Sequence, residues 1–580
     1  MEKRVLLAIT LSFLVLAAYQ YLFVKPQPRP PRPAPTAEAP APGATPAPPP
    51  GGAAAPAAAT PAPAAVSAPE PAPVEALVAD TETREVVVES DEIRAVFTNR
   101  GARLVSWELK RYLDDRGRPV DLVPAGIADD EPRPFALIPD DGEVARRIGE
   151  ALFKPSTTRL AVGEGASLLA FEYQAADGLS VVKRFEFAPD GQPFLVRLSA
   201  EITRDGQPLP FAVSSGPGLG DTDRAAGGGG FFSPAYYQKP QAVFQSDSSA
   251  ERVALDKLAA SPTHQGRFRY IGSEDHYFLS ALLPGDRNVR VDYRPVWVQA
   301  PEGPRGLVVY TMRLEGPWQD VTFFLGPKHF DRLAAVDREL VRTINFGMFD
   351  WLVVPLLRSL NWLNGYVGNY GWSIIALTAI INLLMWPLRH KSMVSMRKMQ
   401  ALQPQVKAIQ DRYANLKMTD PAKQKMNTEL MNLYREKGVN PASGCVPMLL
   451  TFPVLFAFYS MLSQAIELRG APFIGWITDL SVKDPLFITP ILMGASMVWQ
   501  QRLTPSTADP VQQKVFMFMP VMFTVMFLWA PSGLVIYWFV SNLFAIGQQY
   551  LTNRMIGVPP APKPAGARAG RARRCPGRPA

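Results

Sequence analysis

Two polar side chains, Thr378 and Asn382, interrupt an otherwise apolar stretch at 371–388 (GWSIIALTAIINLLMWPL). Residues four apart lie on one face of a helix, so the hydroxyl and the amide share a face. An amide at bilayer depth is costly unless a partner satisfies its hydrogen bonds. The chemistry on offer is therefore hydrogen bonding, and we expect this face to look inward, toward protein or water.

No other set of side chains in the predicted membrane region points to catalysis. The later apolar runs hold no Asp, Glu, Lys or Arg deep inside them, and no HExxH motif, aspartate pair or Ser-Lys dyad. This argues against a proton relay and an intramembrane protease. His264 and His276 lack a metal-ligand spacing, so we expect packing or surface roles for them. We expect no enzymatic activity, no metal and no cofactor.

The polar pair belongs to the second of six predicted membrane-spanning helices. About 20 apolar residues at about 1.5 Å per residue cross the roughly 30 Å hydrocarbon core. The predicted spans are 1–24, 369–388, 444–463, 485–502, 515–530 and 533–552, the first being an uncleaved anchor. The spans that begin at Pro485 and Val515 are short, which predicts a locally thinned bilayer and a shallow, partly hydrated groove beside the polar pair.

Three segments separate the anchor from the second span. Residues 25–73 are almost entirely Pro and Ala with Gly and Thr, a composition typical of a disordered tether. Residues 74–327 show short β-branched and aromatic runs bounded by Asp-Gly and Pro-Gly turns, which predicts an antiparallel β-sandwich. Residues 331–368 carry an apolar stripe at helical spacing and predict amphipathic helices in the membrane interface. The predicted fold is a polytopic α-helical membrane protein with an all-β soluble domain.

Basic residues predict the orientation. The segment 389–438 and the tail 553–580 are rich in Lys and Arg, whereas the loop 467–484 is not. By the positive-inside rule, the basic segments are cytoplasmic and both termini lie inside, so the β domain lies outside, in the periplasm. The first basic segment predicts a helical hairpin. It is either an ordinary solvated hairpin or a docking surface for acidic lipid, ribosomal RNA or a targeting partner.

Several motifs resemble a known family. They are VNPASGCVPML at 439–449, DP at 484–485, PILMG at 490–494, DPVQQK at 509–514 and FLWAPSGLVIYW at 527–538. Together they resemble the YidC/Oxa/Albino family of membrane protein insertases, and the large domain after the anchor is similar to the Gram-negative form. The tether and the basic tail have no recognisable counterpart.

The resemblance implies an inner-membrane insertase and chaperone without ATP or metal. It would receive hydrophobic segments of nascent proteins in a polar groove and release them sideways into lipid, alone or beside the Sec translocon. The soluble domain would be a periplasmic β-supersandwich. The expected groove residues are Thr378, Asn382, Thr451, Trp529, Tyr537 and Trp538. The expected docking residues for ribosome, targeting factors or lipid are Arg389, Lys391, Arg397, Lys398, Lys407, Arg412 and Asp509.

One position departs from the resemblance. Asn382 stands where the family usually carries a groove arginine, and an amide can hydrogen-bond but cannot pair as a cation. We therefore expect a groove that is polar without being positive. Two other functions remain alternatives: a transporter or channel, and a carbohydrate-active periplasmic enzyme on a membrane anchor. The oligomeric state is also open between a monomer and part of a larger translocon complex.

Overall fold

The computed structural model describes residues 75–114, 116–124, 126–128, 131–163, 167–218, 237–246, 249–300, 303–413, 422–439, 446–503 and 510–556. The predicted anchor, the Pro/Ala-rich tether and most of the basic tail lie outside these residues. So do the glycine run 227–230 and Asp509.

The soluble domain is built from 21 strands among the described residues. In chain order they are β1 (Ala76–Val78), β2 (Glu85–Glu89), β3 (Ile93–Thr98), β4 (Arg103–Leu113), β5 (Pro119–Asp121), β6 (Ala136–Pro139), β7 (Lys154–Pro155), β8 (Arg159–Ala161), β9 (Ser167–Ala175), β10 (Leu179–Phe187), β11 (Leu195–Arg204), β12 (Gln207–Pro208), β13 (Phe211–Gly218), β14 (Gln241–Gln245), β15 (Ala250–Ala254), β16 (Thr263–Arg267), β17 (Tyr270–Glu274), β18 (Phe278–Leu283), β19 (Asn288–Ala300), β20 (Gly303–Leu314) and β21 (Trp318–Pro327).

The strands form three sheets. The largest follows the order β1-β9-β10-β11-β21-β18-β17-β14-β15, with β12 added on β11 and β7 on β9. The two five-stranded sheets follow the orders β16-β19-β20-β13-β6 and β5-β4-β3-β2-β8. Neighbouring strands are antiparallel except β2 and β8, which are parallel. The β-rich character predicted for this domain is confirmed, and the bounds 74–327 stay a prediction.

Alternation of buried and outward side chains explains the packing of the largest sheet. Strand β10 buries every second residue, and its Phe185 lies 4.9 Å from Phe97, ring centroid to ring centroid. Lys183 falls on the same buried face, where Nζ donates to the carbonyl oxygens of Gly101, Ala102 and Phe135 at 2.8, 2.8 and 2.9 Å. Burial lowers the pKa of Lys183. Three acceptors match the three N–H groups of an ammonium, so Lys183 ties two segments, the turn at Gly101 and Ala102 and the chain at Phe135, to the sheet.

The domain also contains one helix that the all-β expectation missed. Helix α1 (Gly142–Glu150) buries Val144 and Ile148, four residues apart on one face. Asp141 starts it by accepting from the backbone N–H groups of Glu143 and Val144. This N-cap and the i,i+4 apolar pair are the sequence signals for the helix.

The C-terminal region is helical. Its helices are α2 (Phe330–Val336), α3 (Asp350–Val367), α4 (Tyr370–Ala401), α5 (Gln403–Arg412), α6 (Ala422–Glu436), α7 (Val446–Gln464), α8 (Ile488–Leu503), α9 (Pro510–Phe527) and α10 (Ser532–Ile556). Short 3-10 turns occupy Arg338–Thr343, Gly347–Phe349 and Ile466–Leu468 in this region, and Pro189–Gly191 and Leu255–Ala260 in the β domain.

Helix α4 runs past the boundary drawn from the sequence. Its helical residues continue through Pro387 to Ala401 instead of ending at Leu388, so the predicted span and the start of the predicted hairpin form one rod. Within the described residues, α4 is the helix that is long and apolar enough to cross a membrane, and shorter apolar stretches lie at Phe452–Gln464 and Met517–Phe527. The count of six spans stays a prediction.

The β domain contacts the helical region through polar groups. His276 lies 2.8 Å from the Ser463 carbonyl through Nε2, and Tyr237 donates to the Ser481 carbonyl at 3.0 Å. The Arg469 guanidinium lies over the Tyr277 ring. Burial, then the charge of Lys328, lowers the pKa of His276 to about 4. His276 therefore has a packing role, at the junction between the two regions.

Candidate functional site

A ladder of hydrogen bonds occupies the predicted polar face of α4. Thr378 is fully buried and donates from Oγ1 to the Ile374 carbonyl at 2.6 Å, and Asn382 donates from Nδ2 to the Thr378 carbonyl at 2.8 Å. Asn382 is only 7% exposed. The inward orientation expected for this face is therefore present, and the helix's own carbonyls satisfy both donors.

The hydrogen-bond ladder continues to Arg389, which the sequence assigned to the docking surface. Arg389, expected on the cytoplasmic docking surface, donates from Nη1 to Asn382 Oδ1 at 2.7 Å and is half-buried. The two residues are separated by two helical turns, and side chains on a helix tilt toward its N-terminus. A long guanidinium can therefore reach back to the amide, and the polar face carries a positive charge.

Aromatic side chains of α10 divide between two neighbours. Tyr537 stacks on Phe458 of α7 with ring centroids 4.4 Å apart. Trp538 instead packs on α9, with its ring centroid 5.0 Å from that of Phe527. Consecutive helical residues point about 100° apart, so these two face different helices.

The other two expected groove residues are less informative. Trp529 is half-buried in the turn between α9 and α10. Thr451 lies in α7, but its side chain falls outside the described residues. The structure thus joins Thr378, Asn382 and Arg389 directly, stacks Tyr537 on Phe458 of α7 and turns Trp538 toward α9.

Two loops position α4 and α8 at the end near the β domain. Asn369 caps α4 by accepting from Trp372 N–H and ties it to the following loop by donating to the carbonyls of Pro472 and Phe473. Asp484 precedes α8 and accepts from Thr489, Leu486 and Trp476. Burial raises the pKa of this carboxyl, but the hydrogen bonds outweigh it and lower the pKa overall. Asn369 was missed, although an Asn immediately before an apolar helix is an N-cap signal.

Polar contacts between helices recur at the opposite end. Asn542 of α10 donates to Ser496 of α8 at 3.0 Å, and Gln549 donates to the Leu503 carbonyl at 2.7 Å. Gln548 donates to the Trp386 carbonyl of α4 at 3.0 Å. Such bonds hold helix pairs together where apolar packing against lipid gives no preference.

The expected docking residues fall into three groups. Lys391, Lys398 and Lys407 are exposed along α4 and α5. Arg397 donates to Asn553, and Arg412 pairs with Glu429 at 3.0 Å, so these two hold the helices together. Asp509 lies outside the described residues.

The chemistry of the site is hydrogen bonding and charge. Among the described residues no group of three or more His, Cys, Asp or Glu side chains could hold a metal ion. The ladder of Thr378, Asn382 and Arg389 offers a cation on this face. Such a face can bind polar and anionic groups of a polypeptide.

Comparison with known proteins decides the family. A family model described as "60Kd inner membrane protein" matches residues 362–558, and one described as "YidC periplasmic domain" matches residues 85–359. The "Membrane protein insertase YidC" of Geobacter sulfurreducens is 36% identical over 488 residues, covering 80% of this chain and 85% of that protein. The chain belongs to the YidC family.

Other YidC proteins show the same extent of similarity. The "Membrane protein insertase YidC" of Oleidesulfovibrio alaskensis is 36% identical, covering 81% of this chain and 87% of its own, and that of Thioalkalivibrio sulfidiphilus is 33% identical, covering 83% and 87%. A crystal structure titled as an active YidC insertase with its first transmembrane domain resolved aligns at 19% identity and a TM-score of 0.34, covering 82% and 95%. The family assignment depends on the sequence relatives and the family models.

Proposed function

We propose that this protein inserts hydrophobic segments of nascent proteins into the inner membrane. Its YidC relatives carry the name of membrane protein insertase. The observation that carries the proposal is the ladder from Arg389 through Asn382 to Thr378, buried on the inward face of an apolar helix. A polar, charged face inside a membrane bundle offers translocating polar residues a partner that lipid lacks.

The proposed orientation has six spans, with both termini in the cytoplasm and the β domain in the periplasm. Helices α7 to α10 coincide with the four later apolar runs, which supports the five-helix core. The basic residues that follow α4 and the basic tail support the cytoplasmic assignment of those ends.

The groove of this insertase is positive, and Arg389 supplies the charge. Asn382 holds the guanidinium at the level of the polar face, which replaces the expectation of a groove without charge. Arg–carboxylate pairs are short and charge-assisted, so the groove favours substrates whose translocated tails carry Asp or Glu. The polar groups of the groove also favour a short stay of the substrate's hydrophobic segment. Once the tail has crossed, burial of that segment in lipid is more favourable than contact with the polar groove.

The helices after the groove form the docking surface for ribosome, targeting factors or lipid headgroups. The exposed Lys391, Lys398 and Lys407 lie on the part of α4 that follows the groove residues and on α5. Their chemistry suits phosphate groups. The insertase acts alone or beside the Sec translocon, as a monomer or within a larger complex.

Depletion in cells followed by pulse labelling tests the function. Insertion of a small two-span substrate is expected to fail on depletion and to return with the full chain. A chain lacking residues 74–327 that still restores insertion would dispose of an enzymatic role for the β domain as the main function. Normal insertion after complete depletion, together with loss of solute uptake, would replace the proposal with a transporter.

A further inference from the structure

A cavity of about 540 Å³ lies in the β domain, far in sequence from the membrane helices. Strand β10 pairs with β11 along its length, so β21 and β12 share the other edge of β11. Strand β21 begins at Trp318, opposite Ala200, and β12 reaches Pro208, opposite Thr203. The cavity lies where these two strands leave a gap along that edge.

The lining of the cavity combines an aromatic wall, prolines and charged side chains, which include the exposed Arg184 and Glu201 and the half-buried Arg313. Trp318 and Phe211 stack with centroids 6.1 Å apart and planes 23° from parallel. Pro208, Pro210 and Pro317 lie around them, and Arg184 lies at the sheet surface. Aromatic walls of this kind bind polyproline II segments, because a ring packs flat against a prolyl ring.

Trp318 carries the second observation. Only 3% of its surface is exposed, and its indole Nε1 has no hydrogen-bond acceptor among the described residues. A buried donor without an acceptor costs about 1–3 kcal/mol. A backbone carbonyl of a bound polypeptide would satisfy it, and proline-rich chains present carbonyls that no internal hydrogen bond occupies.

The chain carries such a segment immediately before the β domain. Residues 67–74 read SAPEPAPV, with proline at every second position from Pro69 to Pro73 and an acidic residue, Glu70, between the first two. Ala76 of β1 pairs with Ala175 of β9, so this segment joins the sheet at β1, three strands from β11. We propose that residues 67–74 dock into this cavity, with Glu70 paired to Arg184 and a tether carbonyl accepting from Trp318.

The reach of the segment agrees with this. Strands lie about 4.8 Å apart and rise about 3.3 Å per residue, which places Glu201 of β11 about 17 Å from the start of β1. A polyproline II segment covers about 3.1 Å per residue, so five residues before Glu75 span about 16 Å. Docking would shorten the free tether and fix where it leaves the domain, a role beyond the proposed insertion.

Cysteine cross-linking in the full-length protein tests the docking, with a control built into the sheet. Val182 of β10 pairs with Glu172 on β9 and Glu201 on β11, so these two exposed residues share a row and a face. Glu172 lies two strands nearer to the tether. With Cys445 and Cys575 replaced by serine, A68C is paired with either E201C or E172C in membranes and oxidised briefly.

If the segment is docked, A68C is expected to cross-link to E201C several times faster than to E172C. A segment that is not docked would cross-link faster to E172C, because Glu172 lies nearer to the start of β1. W318F removes the indole N–H and keeps the ring, and a P69S/P71S/P73S tether leaves the domain untouched. Either change is expected to abolish the preference for E201C, while cross-linking to E172C reports that the domain is folded. Faster cross-linking to E172C in the unaltered chain, or a preference for E201C that survives both changes, would overturn the proposal. A W318F protein that loses insertion but keeps the cross-linking pattern would assign the cavity to a substrate segment instead.

Discussion

Arg389 and Asn382 share a hydrogen bond of 2.7 Å although two turns of α4 separate them. The amide oxygen of Asn382 accepts from the Arg389 guanidinium, and the amide nitrogen of Asn382 donates to the Thr378 carbonyl. One arginine thus supplies a charge to a face where the sequence offered only a hydroxyl and an amide.

Removing the charge should change substrate choice. In R389Q, insertion of substrates with two acidic residues in the translocated tail is expected to fall about tenfold, because a charge-assisted hydrogen bond of about 1.5–3 kcal/mol is lost. Neutral tails should change less than about twofold. Reconstituted proteoliposomes and a substrate series of graded tail charge measure this. R502Q, an exposed arginine at the end of α8, is the matched control, and equal losses for all tails would contradict the assignment.

Moving the charge should restore the lost preference. N382R in the R389Q background places a guanidinium directly on the polar face, and acidic tails should again be inserted at near the original rate. N382R alone brings two cations together, and like charges at short range repel. The single variant should therefore retain insertion but gain little. A double variant that remains as impaired as R389Q would show that the position of Arg389, rather than its charge, matters.

The junction between the β domain and the helices should weaken in acid. Gln238 N–H donates to His276 Nδ1, so Nε2 carries the proton toward the Ser463 carbonyl and the ring is neutral. Burial and Lys328 lower its pKa to about 4, against about 6.5 for a free imidazole. The part of this shift that comes from burial at the junction makes the contact most stable above about pH 7 and weakens it as pH falls from 6.5 toward 4.

Hydrogen exchange of residues 463–484 measures this effect, with rates corrected for intrinsic pH dependence. Protection should fall between pH 7 and pH 5 in the unaltered protein. H276Q keeps an N–H donor and an acceptor but cannot titrate, so its protection should be nearly constant. Arg469 and the contact between His329 and Glu467 at 3.7 Å are the same in the H276Q control. An equal pH dependence in H276Q would place the switch elsewhere.

The buried Lys183 should matter for stability. K183M keeps the apolar stem and leaves three carbonyl oxygens without their donor, which costs on the order of 2–4 kcal/mol. The thermal midpoint of the purified full-length protein should fall by several degrees, and K154M at an exposed strand position should leave it within about one degree. An unchanged midpoint in K183M would mean that the carbonyls find other donors.

The exposed lysines should contribute to ribosome binding through phosphate contacts. In K391Q/K398Q/K407Q, co-sedimentation with ribosomes is expected to weaken, and the slope of log affinity against log salt should fall by about two to three. The matched control, K154Q/K257Q/R269Q, removes three exposed cations of the β domain. Equal slopes in both triple variants would leave the docking role to other segments.

The sequence predicted the β-rich domain and the helical region, because alternation and long apolar runs are local signals. It also placed Thr378 and Asn382 on one inward face, since two residues four apart define it. The role of Arg389 was missed because a basic residue after a span was assigned to topology. A long side chain that points back along its helix does not appear in a hydropathy pattern.

Other features depend on tertiary packing. Tyr537 and Trp538 are adjacent in sequence, yet they pack on α7 and α9 respectively, and only the arrangement of neighbouring helices decides which is near the polar face. Helix α4 continues through Pro387 because proline removes one hydrogen bond without forcing the chain to leave the helix.

The length of α4 has a mechanical consequence. Its 32 residues form a rod of about 48 Å, longer than the hydrocarbon core, with Asn382 near its middle and the exposed Lys391 and Lys398 on its far arm. In the proposed docking mode, a ribosome bound to the far arm would apply torque to the same helix that carries the polar face. Docking at one end of α4 and substrate contact at the other would then be coupled through one helix. Two glycines inserted after His390 would act as a hinge and uncouple them.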